Sequence, residues 1–106
     1  MPLGGERLRT KCEWDEAKAA SNLAKHGVSF EEAETVSDDP NTAYAPDAVY
    51  PGDEERGIAI GYTLENRLLF IVYTSRGEVP RIISARRATA QERRRHERNS
   101  KYYNRN

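Results

Sequence analysis

The sequence predicts an α+β fold, an antiparallel β-meander with two N-terminal helices and a C-terminal helix. Two segments of helical periodicity near the start of the chain each follow a helix-capping residue. Three strand-like segments come next, separated by LEN and SRGE, which are short enough for antiparallel hairpins. A last capping sequence then opens an arginine-rich helix.

The first helix is predicted over EAKAASNLAKH, where Asp15 caps the start and Gly27 supplies the stop. Small apolar residues recur on it at helical spacing, and we expect them to pack closely against the sheet: Ala17, Ala20 and Ala24. The second helix begins in SFEEAETV, where Ser29 and Glu32 form a capping box.

The strands are predicted from alternation and composition. RLRTKCEW favours a first strand ending at Trp14, and a short strand is expected near Ala43 or Val49. The meander itself consists of RGIAIGYT, RLLFIVYT and PRIISARR. Strict alternation along the last strand separates two sets of residues onto opposite faces: Arg81, Ile83 and Ala85 on one, and Ile82, Ser84 and Arg86 on the other.

The bulk properties indicate a small cytoplasmic protein. The 106 residues are expected to form a single domain, 1–106, with 1–10 as a loose N-terminal extension. Cys12 is the only cysteine, so no internal disulfide can form, which is typical of a reducing compartment. No apolar run is long enough to span a bilayer, and the N-terminus has no signal-peptide pattern.

The charge is divided between the two halves of the chain. Residues 1–55 contain 5 Lys and Arg against 13 Asp and Glu, a net charge of −8. Residues 56–106 contain 12 against 4, a net charge of +8, and 11 of those 12 cations are arginine. Because arginine binds phosphate in a bidentate manner, the basic half indicates a polyanionic partner. The alternative is that the two halves neutralise each other on folding.

Arginines of the meander are the first candidates for such a site. Arg56, Arg76 and Arg81 stand at strand ends or turns, and we expect them near related edges of the sheet. A sheet face lined by arginines would bind phosphate, whereas the alternative is surface arginines paired with the acids of the first half. The terminal helix, opened by a capping box of Thr89 and Glu92, is almost free of apolar residues before its last turn, so its arginines are expected to face RNA or a partner.

Cleavage of RNA without a metal needs a proton acceptor for the 2′-hydroxyl and donors that stabilise the pentacovalent phosphorus. Arginines supply the second requirement, and His26 and Glu65 are the available candidates for the first. A capping or structural role is the alternative for His26, and His96, surrounded by arginines, is expected at the surface. The sequence has no zinc, EF-hand or nucleotide-binding motif, so neither a metal nor a cofactor is expected.

Three segments resemble the BrnT toxins of bacterial type II toxin–antitoxin systems: EWDEAKAASNLAKHGVSFEEAETV, ERGIAIGYT and YTSRGEVPRIISARRATAQERRRHE. The resemblance extends from Glu13 to Asn99, and its specific motifs are W-D-x-x-K-x-x-x-N-x-x-K-H-G and R-I-I-S-A-R. It implies a RelE-like fold and a ribonuclease activity that inhibits translation. It also implies a BrnA-like antitoxin partner, whose ribbon-helix-helix part binds operator DNA.

The resemblance gives weight to seven positions: Lys25, His26, Arg56, Arg76, Arg81, Ser84 and Arg86. Together with the reasoning above, it leads to a predicted catalytic set of Arg76, Arg86, Arg81, His26 and Glu65. The predicted RNA-binding set is Lys25, Arg56, Arg87 and Arg94.

Two positions depart from the family pattern. Ser37 stands where members usually carry an aromatic residue, seven residues after Phe30 on the predicted buried stripe, so we expect a gap in the core. His96 stands where a tyrosine is common. The main hypothesis is a metal-independent ribonuclease toxin silenced by an antitoxin. The alternatives are a non-catalytic module that docks the antitoxin and assists operator repression, and a nucleic-acid-binding regulator that acts alone.

Overall fold

The predicted α+β architecture is confirmed in a computed structural model that describes residues 8, 11–46, 56–75 and 79–103. The helices are α1 (Glu16–His26), α2 (Phe30–Glu34), continued by a 3₁₀ turn (Thr35–Asp38), and α3 (Ala90–Tyr103). The strands are β1 (Ala43–Pro46), β2 (Arg56–Tyr62), β3 (Leu68–Thr74) and β4 (Arg81–Arg87). All neighbouring strands are antiparallel, in the order β1-β2-β3-β4, which is the predicted meander.

The sheet has two distinct faces. The core face packs against α2 and the 3₁₀ turn, and its residues are fully buried: Ala59, Leu69, Ile71, Tyr73, Ile82 and Ala85. The outer face carries the alternate residues of the same strands, which are half-buried: Ile58, Ile60, Tyr62, Phe70 and Val72. Helix α3 crosses this outer face, and the contacts of His96 and Glu92 described below define that packing.

The predicted first strand is wrong for the residues that the structure describes there. Glu13 forms a single parallel bridge with Arg81, and this bridge does not extend into a ladder. Its backbone accepts from Ile82 N at 2.9 Å and donates to Pro80 O at 2.9 Å, so the segment covers part of the free edge of β4. The short strand expected near Ala43 is confirmed as β1, while Val49 lies outside the described residues.

Helix α1 begins and ends where the sequence predicts. The Asp15 carboxylate accepts from Lys18 N at 2.9 Å, and Gly27 adopts φ 69°, the left-handed conformation that ends many helices. The predicted inward face is wrong, because its three alanines are exposed and Asn22 is the buried residue instead. The Asn22 side chain binds backbone groups of Val28 and Ala85, and the half-buried Ala19 packs against the core cluster, so α1 is held by these polar contacts and by a different alanine from those predicted.

The core is formed by the α2 region and the central strands. Val28, Phe30, Ala33 and Val36 are all fully buried against the core face. Trp14 adds an edge-on contact to the Phe30 ring, with centroids 5.9 Å apart. Of the expected loose extension, residues 1–7 and 9–10 lie outside the described residues, and Leu8 is 5% exposed within the core cluster.

The reason given for a core gap at Ser37 is wrong, because the chain changes from α-helix to 3₁₀ geometry at Thr35 and Ser37 is no longer on the predicted buried stripe. This change brings Val36 into the core at 0% exposure and leaves Ser37 half-buried. The Ser37 Oγ has no hydrogen-bond partner among the described residues. The 3₁₀ turn also comes very close to β2: a Cβ at Gly61 would lie 2.8 Å from Val36 Cγ1.

Candidate functional site

A β-bulge in β4 decides which arginines share a face. Tyr73 pairs with Ile82 and Val72 with Ser84, so Ile83 is an extra residue without a partner on β3. Strict alternation is therefore wrong across this point. Paired residues of antiparallel strands point to the same face, so the bulge places Arg81, Ser84 and Arg86 together on the outer face.

Arg56 joins this set from the neighbouring strand. Arg56 and Arg81 both pair with Thr74, from opposite sides, so their Cα atoms are about 10 Å apart, two strand spacings. The Arg81 Nε donates to Glu13 Oε2 at 3.1 Å, and both side chains remain about half exposed. Arg76 belongs to the connection between β3 and β4 and lies outside the described residues.

Arg86 is held on the outer face by several contacts. Its two terminal nitrogens each donate to one Glu92 oxygen at 2.9 Å, and its guanidinium carbon lies 4.1 Å from the centre of the Phe70 ring. A further bond runs from Nη1 to Arg87 O at 3.1 Å. The hydrogen bonds with Glu92 raise the pKa of Arg86 above its ordinary value, and they lower that of Glu92.

Glu92 also fixes the start of α3. Its Oε1 accepts from Thr89 N at 2.9 Å, while Thr89 Oγ1 accepts from Glu92 N at 3.1 Å, which confirms the predicted capping box. One carboxylate therefore connects the helix cap to the outer face of β4 through Arg86.

His96 was predicted to lie at the surface, but it is only 5% exposed and lies between α3 and the sheet. Its ring centre lies 6.0 Å from that of Tyr62, and its Nε2 has no hydrogen-bond partner among the described residues. Burial lowers the pKa of His96, although Asp39 and Glu97 act in the opposite direction. The prediction was wrong because the charge pattern along α3 does not reveal which side of the helix faces the sheet. The side that carries Glu92 and His96 faces it.

A cleft of about 340 Å³ lies between α3 and the outer face, and we call it the sheet–helix cleft. Its floor is apolar and comes from three strands: Ala43, Ala45, Ile58, Ile60 and Phe70. Its wall is polar and comes from α3: Glu92, Arg95, His96 and Asn99. Sequence reasoning missed this cleft, because it depends on how α3 crosses the sheet.

The other predicted site residues lie elsewhere. Lys25 and His26 are exposed at the end of α1, and Arg87 is exposed at the end of β4, in phase with the core face. Glu65 is exposed in the turn between β2 and β3. The structure thus brings Arg56, Arg81 and Arg86 to one face, with Arg94 exposed on the adjacent α3, and it does not bring His26 or Glu65 to that face.

A partly buried ion pair near that turn is structural. Glu32 is 8% exposed, and its Oε2 accepts hydrogen bonds from Arg67 Nε at 2.9 Å and from Thr63 Oγ1 at 2.9 Å. Arg67 Nη2 donates to Glu32 Oε1 and also to Gly27 O, the latter at 3.1 Å. The hydrogen bonds from Arg67 lower the pKa of Glu32 against the effect of burial. Only half of the predicted capping box at Ser29 therefore forms: Ser29 accepts from Glu32 N, whereas the Glu32 carboxylate turns to Arg67.

Comparison with known proteins identifies the family. A family model described as the ribonuclease toxin BrnT of type II toxin–antitoxin systems matches residues 14–92. The chain belongs to this BrnT family. A crystal structure of the Brucella abortus ribonuclease toxin BrnT is similar, with a TM-score of 0.56 and 27% identity over 74% of this chain and 95% of that one. No curated protein matches the chain.

Membership in the BrnT family makes the chain a ribonuclease toxin and implies an antitoxin partner. The matched residues include Arg56, Arg81, Arg86 and Glu92, and they end before His96 and Asn99. The wall of the sheet–helix cleft thus lies largely beyond the matched segment. Among the described residues, no three His, Cys, Asp or Glu side chains form a group that could hold a metal ion. No described helix is long and apolar enough to cross a membrane.

Proposed function

We propose that this BrnT-family chain is a metal-independent endoribonuclease that inhibits translation, and that its RNA lies on the outer face of the sheet. The observation that supports this most directly is the β-bulge, because it brings Arg81, Ser84 and Arg86 to one face beside Arg56. Cations in these positions supply the positive charge that an attacked phosphate requires.

The chemistry proceeds by attack of a ribose 2′-oxygen on the adjacent phosphorus, with departure of the 5′-oxygen. A guanidinium has five N–H groups, and in Arg86 three of them donate to acceptors among the described residues. The Nε–H and one Nη2 hydrogen have no acceptor among the described residues, so they can donate to a phosphate oxygen. The Glu92 contact holds the guanidinium in place, which lowers the entropic cost of binding the charge that develops in the transition state.

The attacking 2′-hydroxyl also requires a proton acceptor. His26 and Glu65 are the predicted candidates, and neither side chain is on the outer face. The outer-face arginines therefore carry the proposal. Arg76 completes the proposed catalytic set. Of the predicted RNA-binding residues, Arg56 and Arg94 lie on or beside the outer face and belong to the proposed RNA surface, whereas Lys25 and Arg87 lie away from it.

We also propose that a BrnA-like antitoxin neutralises the toxin and binds operator DNA through a ribbon-helix-helix part. The antitoxin would cover the outer face or α3, since RNA must be excluded from the arginines in the inactive complex. Exposed arginines of α3, such as Arg94 and Arg98, match an acidic partner surface.

Cleavage of end-labelled RNA by the purified chain in EDTA tests the proposal. Arg86→Ala should lower kcat by about 100-fold or more at saturating RNA, as loss of a transition-state donor does. Because this change leaves Glu92 unpaired, the double variant Arg86→Ala/Glu92→Gln keeps the helix cap and should show the same loss. Lys11→Ala removes an exposed positive charge outside the site and is the control. Melting curves establish that each variant is folded.

If the wild-type chain binds RNA but leaves it intact, the enzymatic proposal is contradicted. The second candidate function, a non-catalytic module that docks the antitoxin and assists repression, would then take its place. The paired state of Arg86 favours this candidate, because a guanidinium committed to Glu92 binds phosphate less strongly than a free one. Cleavage that requires added metal would contradict the metal-independent mechanism alone.

A further inference from the structure

The sheet–helix cleft combines a flat apolar floor with hydrogen-bonding groups along one wall. Ile58 and Ile60 of β2 and Phe70 of β3 form the centre of the floor, and all three are only half-buried. Their side chains come from adjacent strands of one sheet face, so they present a broad apolar surface. A surface of this kind accepts the face of an aromatic ring.

The wall offers groups suited to the edge of such a ring. Asn99 is exposed and carries an amide donor and acceptor. His96 also lines the cleft, and its Nε2 is buried without a hydrogen-bond partner among the described residues. Burial lowers the pKa of His96, so the neutral ring has one donor and one acceptor nitrogen near neutral pH. Since Nε2 is buried, a small rotation of the imidazole toward the cleft would let the polar edge of a bound ring supply the missing partner.

The rim of the cleft is positively charged. Arg95 lines the cleft, is exposed, and makes no hydrogen bond or ion pair with any described residue. Arg94 and Arg98 are exposed next to it on α3. The charge of Glu92, the acid in the wall, is compensated by the bidentate contact with Arg86. An anionic group attached to the ring would therefore meet an unpaired arginine at the rim.

A planar ring with a polar edge and an attached phosphate is a nucleotide. We propose that the sheet–helix cleft is a nucleobase subsite, in which one unpaired base of single-stranded RNA lies on Ile58, Ile60 and Phe70 while Asn99 and His96 contact its edge. The inference rests on the proposed function and specifies how its substrate is selected. The cleft volume of about 340 Å³ suits a single nucleoside and is too small for a folded segment of an antitoxin.

The position of the cleft connects it to the proposed catalytic face. Phe70 belongs to the floor and also contacts the Arg86 guanidinium, and Glu92 belongs to the wall and binds the same guanidinium. A base in the cleft would thus place its own or the adjacent phosphate near Arg86. The subsite would determine which nucleotide stands beside the cut, so Asn99 and His96 are specificity-determining residues.

The test uses four labelled pentaribonucleotides that differ only in the central base and otherwise contain uridine. Their affinities for the full chain are measured by fluorescence anisotropy. We expect the wild-type chain to prefer one central base by roughly tenfold, as a well-placed pair of hydrogen bonds to a base allows. Asn99→Ala and His96→Phe should each reduce that preference to about threefold or less. Arg95→Ala should weaken the binding of all four RNAs by a similar factor, because it removes a phosphate contact.

Gln91→Ala, an exposed change at the start of α3, is the matched control and should keep the wild-type preference. Four equal wild-type affinities would overturn the subsite, and so would a preference that survives both wall variants. Loss of antitoxin binding in His96→Phe, with no base preference in the wild type, would assign the cleft to the antitoxin instead. Since pentamer binding is measured apart from cleavage, a chain that discriminates bases but leaves RNA intact would retain the subsite and contradict the proposed ribonuclease chemistry.

Discussion

The imidazole of His96 is enclosed between α3 and the outer face, where its Nε2 lacks a partner among the described residues. A buried polar atom without a hydrogen bond typically costs about 1–3 kcal/mol, so this residue is not explained by stability. The charged groups that act on it are the carboxylates of Asp39, from the turn before β1, and Glu97, from its own helix. Their attraction for a proton does not overcome the effect of burial.

This environment predicts a loss of stability in mild acid. Burial lowers the folded-state pKa of His96 below its ordinary value of 6.5, so the unfolded chain binds a proton more readily than the folded one. The free energy of unfolding should therefore fall as the pH drops below about 6.5, by at most about 1.4 kcal/mol per pH unit for this group. Urea denaturation at pH 7.5 and 5.5 measures the effect.

His96→Phe should reduce that fall, and its stability at pH 7.5 should equal or exceed that of the wild type, since the unpaired nitrogen is gone. His26→Ala is the control, because His26 is exposed and should leave the acid sensitivity of the wild type unchanged. An equal fall in His96→Phe and in the wild type would show that other groups cause the acid sensitivity.

At the scale of elements, Asn22 connects α1 to the edge strand β4. Its Nδ2 donates to Val28 O at 3.0 Å and to Ala85 O at 2.8 Å, and its Oδ1 accepts from Ala85 N at 3.1 Å. The amide thus satisfies both backbone groups of Ala85 on the free side of the strand, much as another strand would. This use of the side chain explains why a polar residue occupies the buried position of α1.

Asn22→Ala should destabilise the chain by about 2–4 kcal/mol, because three buried backbone groups lose their partners. Ser21→Ala, on the exposed side of the same helix, should change the stability by less than about 0.5 kcal/mol. The free energies of unfolding come from urea denaturation at pH 7. A cost below about 1 kcal/mol for Asn22→Ala would mean that water or a rearranged loop replaces the amide.

The same elements show what the sequence can and cannot reveal. Asp15 and Thr89 were identified as caps because a cap depends on residues three or four positions away. The predicted orientation of α1 was wrong, since Asn22 is buried through its contacts with Ala85 of β4, which lies 63 residues later in the chain. The prediction that Arg81 and Arg86 lie on opposite faces was wrong as well, because the alternating sequence pattern does not reveal that Ile83 is unpaired in a bulge.

Across the whole molecule, the opposite charges of the two halves occupy different layers. Exposed acids of the first half, such as Glu16 and Glu31, lie on the helices that cover the core face. The arginines of the second half lie mainly on the outer face and on α3. Among the residues that the structure describes, ion pairs such as Arg81 with Glu13 and Arg67 with Glu32 neutralise only part of this charge. The folded chain therefore keeps a basic side that can attract RNA.

This charge separation predicts a steep salt dependence of RNA binding. Each phosphate contact contributes a slope of about −0.7 to log K against log salt for a single strand. Five such contacts would weaken binding by roughly 100-fold between 50 and 200 mM salt. Fluorescence anisotropy with a single-stranded RNA across this range measures the slope for the wild-type chain and its variants.

Arg94→Ala should make that slope less steep by about 0.7 and leave kcat at saturating RNA unchanged, because an exposed helix arginine contributes binding only. Arg86→Ala should instead lower kcat, since Glu92 holds its guanidinium on the face where we propose that the phosphate reacts. Lys11→Ala, outside both surfaces, should leave the slope and kcat at their wild-type values. A shallow wild-type slope would mean that the basic side does not contact the RNA backbone, and the arginines of the outer face would then serve the antitoxin rather than the substrate.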